Sequence, residues 1–273
     1  MRKTVVITGA GGVLCSEFAR FYAKRGDSVA LLDLNLEAAE EVAAEIRAQG
    51  GEAKAYRTNV LEKASLEEVH QAVLRDFGPA DILVNGAGGN SGKCTTFHET
   101  YEKGDEDAED YLTFFNIPSE GFDFVFNLNI KGVLLTTQVF IKDMIHRGGS
   151  ILNISSMNAF RPLTKIPAYS AAKAGVSNFT EWLAVHFADA GVRVNAIAPG
   201  FFVTKQNQAL LFNEDGTPTP RTGKILNATP MKRFGKAEEL LGAVEFLTDD
   251  EKAGFVTGVV LPVDGGFSAY SGV

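Results

Sequence analysis

Residues 4–12 read TVVITGAGG, a β-branched run that passes directly into a cluster of glycines. The run predicts a strand, and the glycines permit the tight turn by which a strand leads into a helix. Ser16–Arg25 follows with apolar side chains at helical spacing, and Ser28–Asp33 is a second apolar run. The stretch therefore predicts two parallel strands joined by a helix.

The same alternation of strands and helices continues along the chain. Five further runs predict strands: Glu52–Thr58, Asp81–Asn85, Gly149–Ser155, Val192–Ile197 and Val259–Pro262. Most are continuously apolar, which is typical of strands that helices cover on both faces. Leu36–Gln49 is a strong helix former that ends at Gly50-Gly51. No repeat or linker divides the sequence, so we predict one α/β domain over residues 1–273, a doubly wound parallel sheet with helices on both faces.

Two long segments interrupt this rhythm. The acidic insertion, residues 90–120, carries eight acidic side chains against Lys93 and Lys103, and the second long segment covers residues 201–235. Ligands of open α/β sheets bind beyond the carboxyl ends of the strands, where both segments start. We therefore interpret them as walls or lids of a substrate site. For the acidic insertion the alternative is a solvated surface loop, and we expect its carboxylates to face solvent or another subunit.

Composition limits the possible partners and location. The formal net charge of −8 argues against nucleic acid, because phosphate binding needs a basic surface. No apolar run reaches the roughly 18 residues of a membrane span, and the amino terminus lacks the pattern of a signal peptide. Cys15 and Cys94 make no disulfide framework, and the four histidines show no metal-ligand spacing. We predict a cytoplasmic protein with no metal and no membrane or nucleic-acid partner.

The glycine cluster predicts a phosphate site. Backbone N–H groups at the start of a helix can hold a pyrophosphate if glycines let it approach. Asp33 ends the second predicted strand, where a carboxylate accepts hydrogen bonds from the adenosine ribose and repels a 2′-phosphate. No Arg or Lys lies within residues 9–14 or 34–36, so NAD(H) is favoured over NADP(H). The alternative is that Asp33 is a turn or cap residue.

Several short motifs share the order and spacing of one family. They are Thr8-Gly9 with the glycines that follow, Asn85-Gly86-Ala87-Gly88, Asn129, Ser156, Tyr169-x-x-x-Lys173 and Pro199-Gly200-x-x-x-Thr204. Over nearly its whole length the chain resembles the short-chain dehydrogenase/reductase family. The resemblance implies a Rossmann-like domain with a sheet of about seven strands, a homotetramer or homodimer, and hydride transfer between nicotinamide and a carbonyl or alcohol.

Tyr169 and Lys173 lie one helical turn apart, which places both side chains on one face. A tyrosine hydroxyl is a poor base at its ordinary pKa of about 10, and a nearby ammonium favours the phenolate. Without the other motifs the two residues would be read as a surface pair. The resemblance implies that Tyr169 exchanges the proton and that Lys173 also holds the nicotinamide ribose. It further implies that Ser156 binds the substrate oxygen and Asn129 a relay water, with Asn127 as the rival.

The resemblance also implies a set of cofactor contacts. They are Gly9, Gly12, Val13, Leu14, Asp33, Asn59, Val60, Asn85, Gly86, Ala87, Tyr169, Lys173 and Thr204, of which Thr204 would anchor the carboxamide and Asn59 the adenine. Four positions depart from the family pattern, one of which is Asn59, where an aspartate usually contacts the adenine. Val13 and Cys15 replace glycines, and Gly86 replaces an asparagine, which leaves the detailed geometry of the loop open. For Cys15 a packing role is favoured over a redox-sensitive thiol.

Polar residues follow both the predicted catalytic serine and Thr204. They are Asn158, Arg161, Thr164 and Lys165 in the first segment and Gln206, Asn207 and Gln208 in the second. This polarity suits a polyhydroxylated, anionic substrate better than a steroid or an acyl chain. We predict that Ser156, Asn158, Arg161 and Lys165 contact the substrate, unless Arg161 and Lys165 are exposed.

Three stretches, residues 8–15, 154–165 and 267–273, resemble a bacterial branch of the family, the D-mannonate oxidoreductases or fructuronate reductases. That resemblance implies NADH-linked reduction of D-fructuronate to D-mannonate. The enzymatic alternative is another sugar-acid or polyol dehydrogenase of the gluconate type. An NAD-binding sensor is the alternative without catalysis, and the presence of Ser156, Tyr169 and Lys173 together disfavours it.

Overall fold

The computed structural model describes residues 2–204 and 208–272. The strands are β1 (Thr4–Thr8), β2 (Ser28–Asp33), β3 (Glu52–Arg57), β4 (Ile82–Asn85), β5 (Gly149–Ile154), β6 (Val192–Pro199) and β7 (Val260–Val263). The helices are α1 (Val13–Lys24), α2 (Leu36–Ala48), α3 (Lys63–Asp76), α4 (Ser119–Phe126), α5 (Gly132–Phe140), α6 (Pro167–His186), α7 (Gln208–Leu211), α8 (Pro220–Ala228), α9 (Leu241–Thr248) and α10 (Asp250–Ala253).

Within the described residues the strands form one parallel sheet of seven, in the order β3-β2-β1-β4-β5-β6-β7. The order reverses between β1 and β4, which places a crevice at the carboxyl ends of these two strands. All five residues of β1 are buried, as predicted for a strand covered on both faces. The predicted doubly wound α/β fold is therefore confirmed.

Two hydrophobic layers enclose the sheet. On one face α1, α2 and α9 pack around Phe18, Leu31 and Val244. On the other face α3, α5 and α6 pack around Leu83 and Phe140. Tyr22, Phe18 and Phe140 are among the largest side chains that are fully buried, so each layer has a dense aromatic and aliphatic core.

Most predicted strand ends are correct to within one or two residues. Among the element boundaries, the largest difference between prediction and structure is at the start of helix α1. It begins at Val13, three residues before the predicted Ser16, because Gly9 adopts a φ of +67° and completes the turn at once. Ser16 lies inside the helix, and Gly12 is its N-cap residue.

A continuous helical segment runs from Ser119 to Asp143 and combines α4, α5, a π-helical turn at Asn127–Lys131 and a short final 3₁₀ turn. By length and composition alone its 25 residues are sufficient to cross a membrane. Half of its most apolar stretch is buried inside the domain, as for a core helix. The absence of a membrane partner stays a prediction.

The acidic insertion is ordered around a buried carboxylate. Asp105 accepts hydrogen bonds from the backbone N–H of Glu102 and the hydroxyl of Tyr111, and it pairs with Nδ1 of His98 at 2.8 Å. Asp105 is 6% exposed. The expectation that the carboxylates of this insertion face solvent or another subunit is therefore wrong for Asp105, because these partners compensate for its burial.

Candidate active site

Tyr169 and Lys173 lie in the first two turns of α6, which begins with Pro167. Nζ of Lys173 lies 5.6 Å from the centroid of the Tyr169 ring and donates a 2.8 Å hydrogen bond to the carbonyl of Ile154. Lys173 is 5% exposed. The predicted pair is thus an internal one, held against the end of β5, rather than a surface pair.

The surroundings shift the pKa values of both groups. Burial lowers the pKa of Lys173 to about 8. Burial also raises the pKa of Tyr169, although a hydrogen bond from Ser156 partly opposes that rise. Without a further positive charge the tyrosine remains protonated at neutral pH, so it is ready to donate a proton to a carbonyl oxygen.

Ser156 is the second residue after the end of β5. Its side chain is 7% exposed, and it lies at the start of a 3₁₀ turn, Met157–Ala159. Its hydroxyl oxygen accepts a 3.2 Å hydrogen bond from the backbone N–H of Asn158. The structure therefore brings together the serine, tyrosine and lysine that the sequence predicted.

Asn129 lies in the π-helical turn and is fully buried, whereas its rival Asn127 is exposed. Its side-chain amide donates to the carbonyls of Gly89 and Val125, both at 2.8 Å, and accepts from the Gly89 N–H. A Cβ at Gly88 would lie 2.7 Å from Oδ1 of Asn129 and 3.1 Å from Nζ of Lys173. Asn129 and Lys173 thus converge on one turn, and π-helical turns are frequent at functional sites.

The glycine turn and Asp33 also meet at the crevice. The Asp33 carboxylate accepts hydrogen bonds from the backbone N–H groups of Gly11 and Asn35, each at 2.9 Å. A Cβ at Gly9 would lie 2.9 Å from the backbone nitrogen of Ala87. The turn after β1 therefore packs directly against the turn after β4, and the Asp33 carboxylate bonds to the first of these turns.

A sequence model of the short chain dehydrogenase family matches residues 3–215. The chain belongs to this family. It is 60% identical over 272 residues to an uncharacterised oxidoreductase of Haemophilus influenzae Rd, covering 99% of this chain and 95% of the relative. It is 53% identical to an uncharacterised oxidoreductase of Bacillus subtilis 168, UxuB, covering 99% and 96%.

A solved structure from Haemophilus influenzae, provisionally named a D-mannonate oxidoreductase and determined with bound NAD, has a TM-score of 0.95 to this chain. The two are 59% identical, and the match covers 99% of this chain and 96% of that one. The resemblance predicted from the motifs is confirmed, and the protein is an oxidoreductase of the short-chain dehydrogenase family.

Two departures from the family pattern explain each other. A Cβ at Gly86 would lie 2.1 Å from Sγ of Cys15 and 2.7 Å from the carbonyl oxygen of Thr8. Cys15 is 5% exposed, and burial raises the pKa of its thiol to about 12. The thiol therefore fills the space that a side chain at position 86 would need, which is the packing role predicted for Cys15.

We expect Gly86→Ala to weaken dinucleotide binding by about tenfold and to lower the melting temperature, because overpacking a tight site costs roughly 1–3 kcal/mol. Adding Cys15→Gly to this variant should recover part of both losses. Recovery should be incomplete because the new Cβ would still contact the carbonyl oxygen of Thr8. Gly89→Ala is the matched control, since none of the described atoms lies within 4 Å of its Cβ position. Fluorescence titration with NADH and thermal unfolding measure these effects, and equal behaviour of the two alanine variants would contradict the packing role.

The remaining predicted cofactor positions differ in whether their side chains are already hydrogen-bonded within the protein. The side chain of Asn85 is buried and donates to Thr137 and Asn153, so a contact with the cofactor there would come from the backbone. The side chain of Asn59 accepts from the N–H of Leu61 and donates to Glu62 at 2.8 Å. The other positions in this group lie at the ends of β1, β3, β4 and β6 or at the start of α1: Gly12, Val13, Leu14, Val60, Ala87 and Thr204.

The predicted substrate residues lie in the loop between β5 and α6. Asn158 is buried. Arg161 is exposed, which is the alternative considered for it, and its Nε donates to the carbonyl of Ser268 at 3.2 Å. Lys165 has a φ of +73°, and its Nζ lies 5.9 Å from the centroid of the Phe97 ring. Gln206 and Asn207 lie outside the described residues.

The acidic insertion packs onto this loop. The backbone N–H of Thr96 donates to the carbonyl of Lys165 at 2.8 Å, and Cys94 packs against Ala168, next to Tyr169. The insertion thus packs beside Tyr169, and its role as a wall of the substrate site stays a prediction. Sequence patterns did not identify Thr96 or Phe97, since their role depends on a contact between distant loops.

No group of three or more His, Cys, Asp or Glu side chains suited to a metal ion occurs among residues 2–204 and 208–272.

Proposed function

We propose that the protein is an NAD(H)-dependent oxidoreductase that interconverts D-fructuronate and D-mannonate. The observation that carries the proposed chemistry is the convergence of Ser156, Tyr169 and Lys173 in a domain whose glycine turn, residues 9–12, bonds through Gly11 to the carboxylate of Asp33. The bound NAD and the provisional name of the Haemophilus structure support the cofactor and the substrate.

The residues of the crevice fit a dinucleotide. Among the described residues no side chain caps the start of α1, where Gly12 is the N-cap residue, so the first N–H groups of the helix are available for a pyrophosphate. The carboxylate of Asp33 accepts a hydrogen bond from Gly11 in the preceding turn, and we propose that it also binds the adenosine ribose. The positions predicted to bind the dinucleotide are therefore proposed as the cofactor site, where NAD(H) would supply or accept the hydride.

The protein groups perform the proton transfer. In reduction, Ser156 donates a hydrogen bond to the ketone oxygen, and Tyr169 donates its proton to that oxygen as the alcohol forms. The ammonium of Lys173 stabilises the resulting phenolate. We propose that Asn129 and the turn at Gly88-Gly89 connect Lys173 to solvent, so that the tyrosine is reprotonated. In oxidation the same groups act in the opposite direction.

A substrate panel tests the proposal. We expect the specificity constant kcat/KM, measured by NADH oxidation, to be higher for D-fructuronate than for D-tagaturonate, 5-keto-D-gluconate and D-fructose. A preference for 5-keto-D-gluconate would favour the gluconate-type alternative. Binding of NADH without turnover of any of the four compounds would favour a sensor.

The carboxylate of the substrate should depend on a cation near Ser156. A charge-assisted hydrogen bond contributes about 1.5–3 kcal/mol, so Arg161→Ala or Lys165→Ala should lower kcat/KM for D-fructuronate by roughly ten- to hundredfold. Activity on D-fructose, which lacks the carboxylate, should change little, and Lys103→Ala in the acidic insertion is the control. If neither variant discriminates between the two substrates, either another cation, such as Lys93, binds the carboxylate or the substrate is neutral.

We also propose a homotetramer or homodimer. The outer faces of α5 and α6 border an apolar groove of about 520 Å³ lined by residues such as Leu134, Phe179 and Trp182. Trp182 is 54% exposed although it stacks on Phe179 and His186, so its outer surface is open to a second subunit. The assembly and the cytoplasmic location stay predictions.

A further inference from the structure

The acidic insertion makes contacts on two sides. Thr96 bonds to the loop that carries Lys165, and three residues later Oε1 of Glu99 accepts a 2.8 Å hydrogen bond from Nζ of Lys224 on α8. The loop of Lys165 follows β5 and α8 follows β6, so both belong to the carboxyl end of the sheet. The Glu99–Lys224 pair therefore bridges two walls that rise from the same end of the sheet as Ser156 and Tyr169.

Two further cations, Lys165 and Arg221, act on the Glu99–Lys224 pair. Arg221 lies three residues before Lys224 on α8, and Lys165 lies over the ring of Phe97, two residues before Glu99. The hydrogen bond and charge of Lys224, with smaller contributions from Lys165 and Arg221, lower the pKa of the Glu99 carboxyl. Three cations therefore act on the Glu99 carboxyl, in a chain whose formal net charge is −8.

Other carboxylates of the insertion are engaged elsewhere. Asp105 binds His98 and Tyr111, and Glu106 accepts from the hydroxyl of Tyr101 and the N–H of Gly104. Glu99 is the carboxylate that the described contacts direct to α8. It is therefore the group whose removal should change the charge at this place.

The ion pair is suited to exchange. The side chains of Glu99 and Lys224 are 47% and 67% exposed, and ion pairs this exposed contribute little to folding stability. Another carboxylate can therefore replace Glu99 at Lys224 without loss of the fold.

We propose that Lys224, with Arg221 and Lys165 nearby, forms a binding site for the carboxylate of the substrate, and that Glu99 occupies this site until the substrate displaces it. The ligand class is a sugar acid or another small hydroxycarboxylate. The proposal rests on the proposed function in taking the substrate to be an anionic keto sugar. It adds two residues, Glu99 and Lys224, whose effects on substrate binding should have opposite signs.

The test compares Glu99→Gln with Lys224→Gln in steady-state assays with D-fructuronate and with D-fructose. Removing the competing carboxylate should lower KM for the acid by about threefold or more, while removing the cation should raise it by roughly tenfold. KM for D-fructose should be unchanged in both. If the pair only fastened the insertion to α8, both variants would break the same contact and shift KM in the same direction.

Glu109→Gln and Lys103→Gln, two exposed positions of the same insertion, control for the change in net charge. Opposite shifts that these controls do not reproduce support the site. Shifts in one direction, shifts shared by the controls, or equal effects on the acid and on D-fructose overturn it.

The two proposals fail in different ways. An enzyme that reduces another keto acid but not D-fructuronate contradicts the proposed substrate, whereas opposite shifts of the two variants on that acid still support the carboxylate site. An enzyme that turns over no carboxylate substrate overturns the site as well.

Discussion

Replacing Tyr169 with phenylalanine should lower kcat for ketone reduction by about a thousandfold or more, since general acid catalysis contributes roughly 10²–10⁴-fold and this hydroxyl is the proposed proton donor. The variant keeps the ring that packs beside Lys173 and removes one oxygen. NADH should still bind with nearly the affinity of the parent. Steady-state NADH oxidation and fluorescence titration of NADH measure the two properties separately.

Two further variants, Tyr101→Phe and Lys173→Met, serve as comparisons for Tyr169→Phe. Tyr101→Phe removes a hydroxyl from an exposed tyrosine that bonds to Glu106, and it should leave kcat unchanged. Lys173→Met should lower kcat and also weaken NADH binding, because the lysine is proposed to hold the nicotinamide ribose. A Tyr169→Phe enzyme within a few-fold of the parent would contradict the assignment of the proton donor.

The fold was predictable because its signals are local. Each buried strand is a short apolar run, and the period of a helix places Tyr169 and Lys173 on one face whatever surrounds them. The start of α1 was missed by three residues, since only the positive φ of Gly9 shows how short the turn is. The π-helical turn around Asn129 has no sequence signal of its own, and it lies where the amide of Asn129 bonds to Gly89.

The parts that escaped prediction depend on contacts between distant segments. The sequence shows that Cys15 and Gly86 are unusual, but only the fold shows that the thiol lies where the missing side chain would be. The acidity of the insertion suggested carboxylates that face solvent or another subunit. In the structure Asp105 is buried, because it bonds to His98 and Tyr111. Glu99 pairs with Lys224 on α8.

NAD(H) should be preferred over NADP(H) by at least about a hundredfold in kcat/KM, which corresponds to roughly 2.7 kcal/mol. Two backbone N–H groups, from Gly11 and Asn35, hold the carboxylate of Asp33 at the end of β2, so it cannot easily turn away from a bound ribose. A 2′-phosphate adds a charge of about −1.5 to −2 near neutral pH, and a like charge opposite it costs several kcal/mol. The neighbouring Leu34 and Leu36 offer no cation to offset that repulsion.

Asp33→Ala should therefore reduce the preference to about tenfold or less, partly by weakening NAD(H) and partly by admitting NADP(H), since both the ribose acceptor and the repulsion are lost. Asp33→Asn separates the two causes. Its amide oxygen can still accept from Gly11 and from a ribose hydroxyl, while its charge is zero, so it should bind NADH better than the alanine variant and still admit NADPH. The ratios of kcat/KM for the two cofactors decide the matter in all three proteins. Equal use of NADH and NADPH by the parent, or an unchanged ratio in Asp33→Ala, would show that this carboxylate does not face the adenosine ribose.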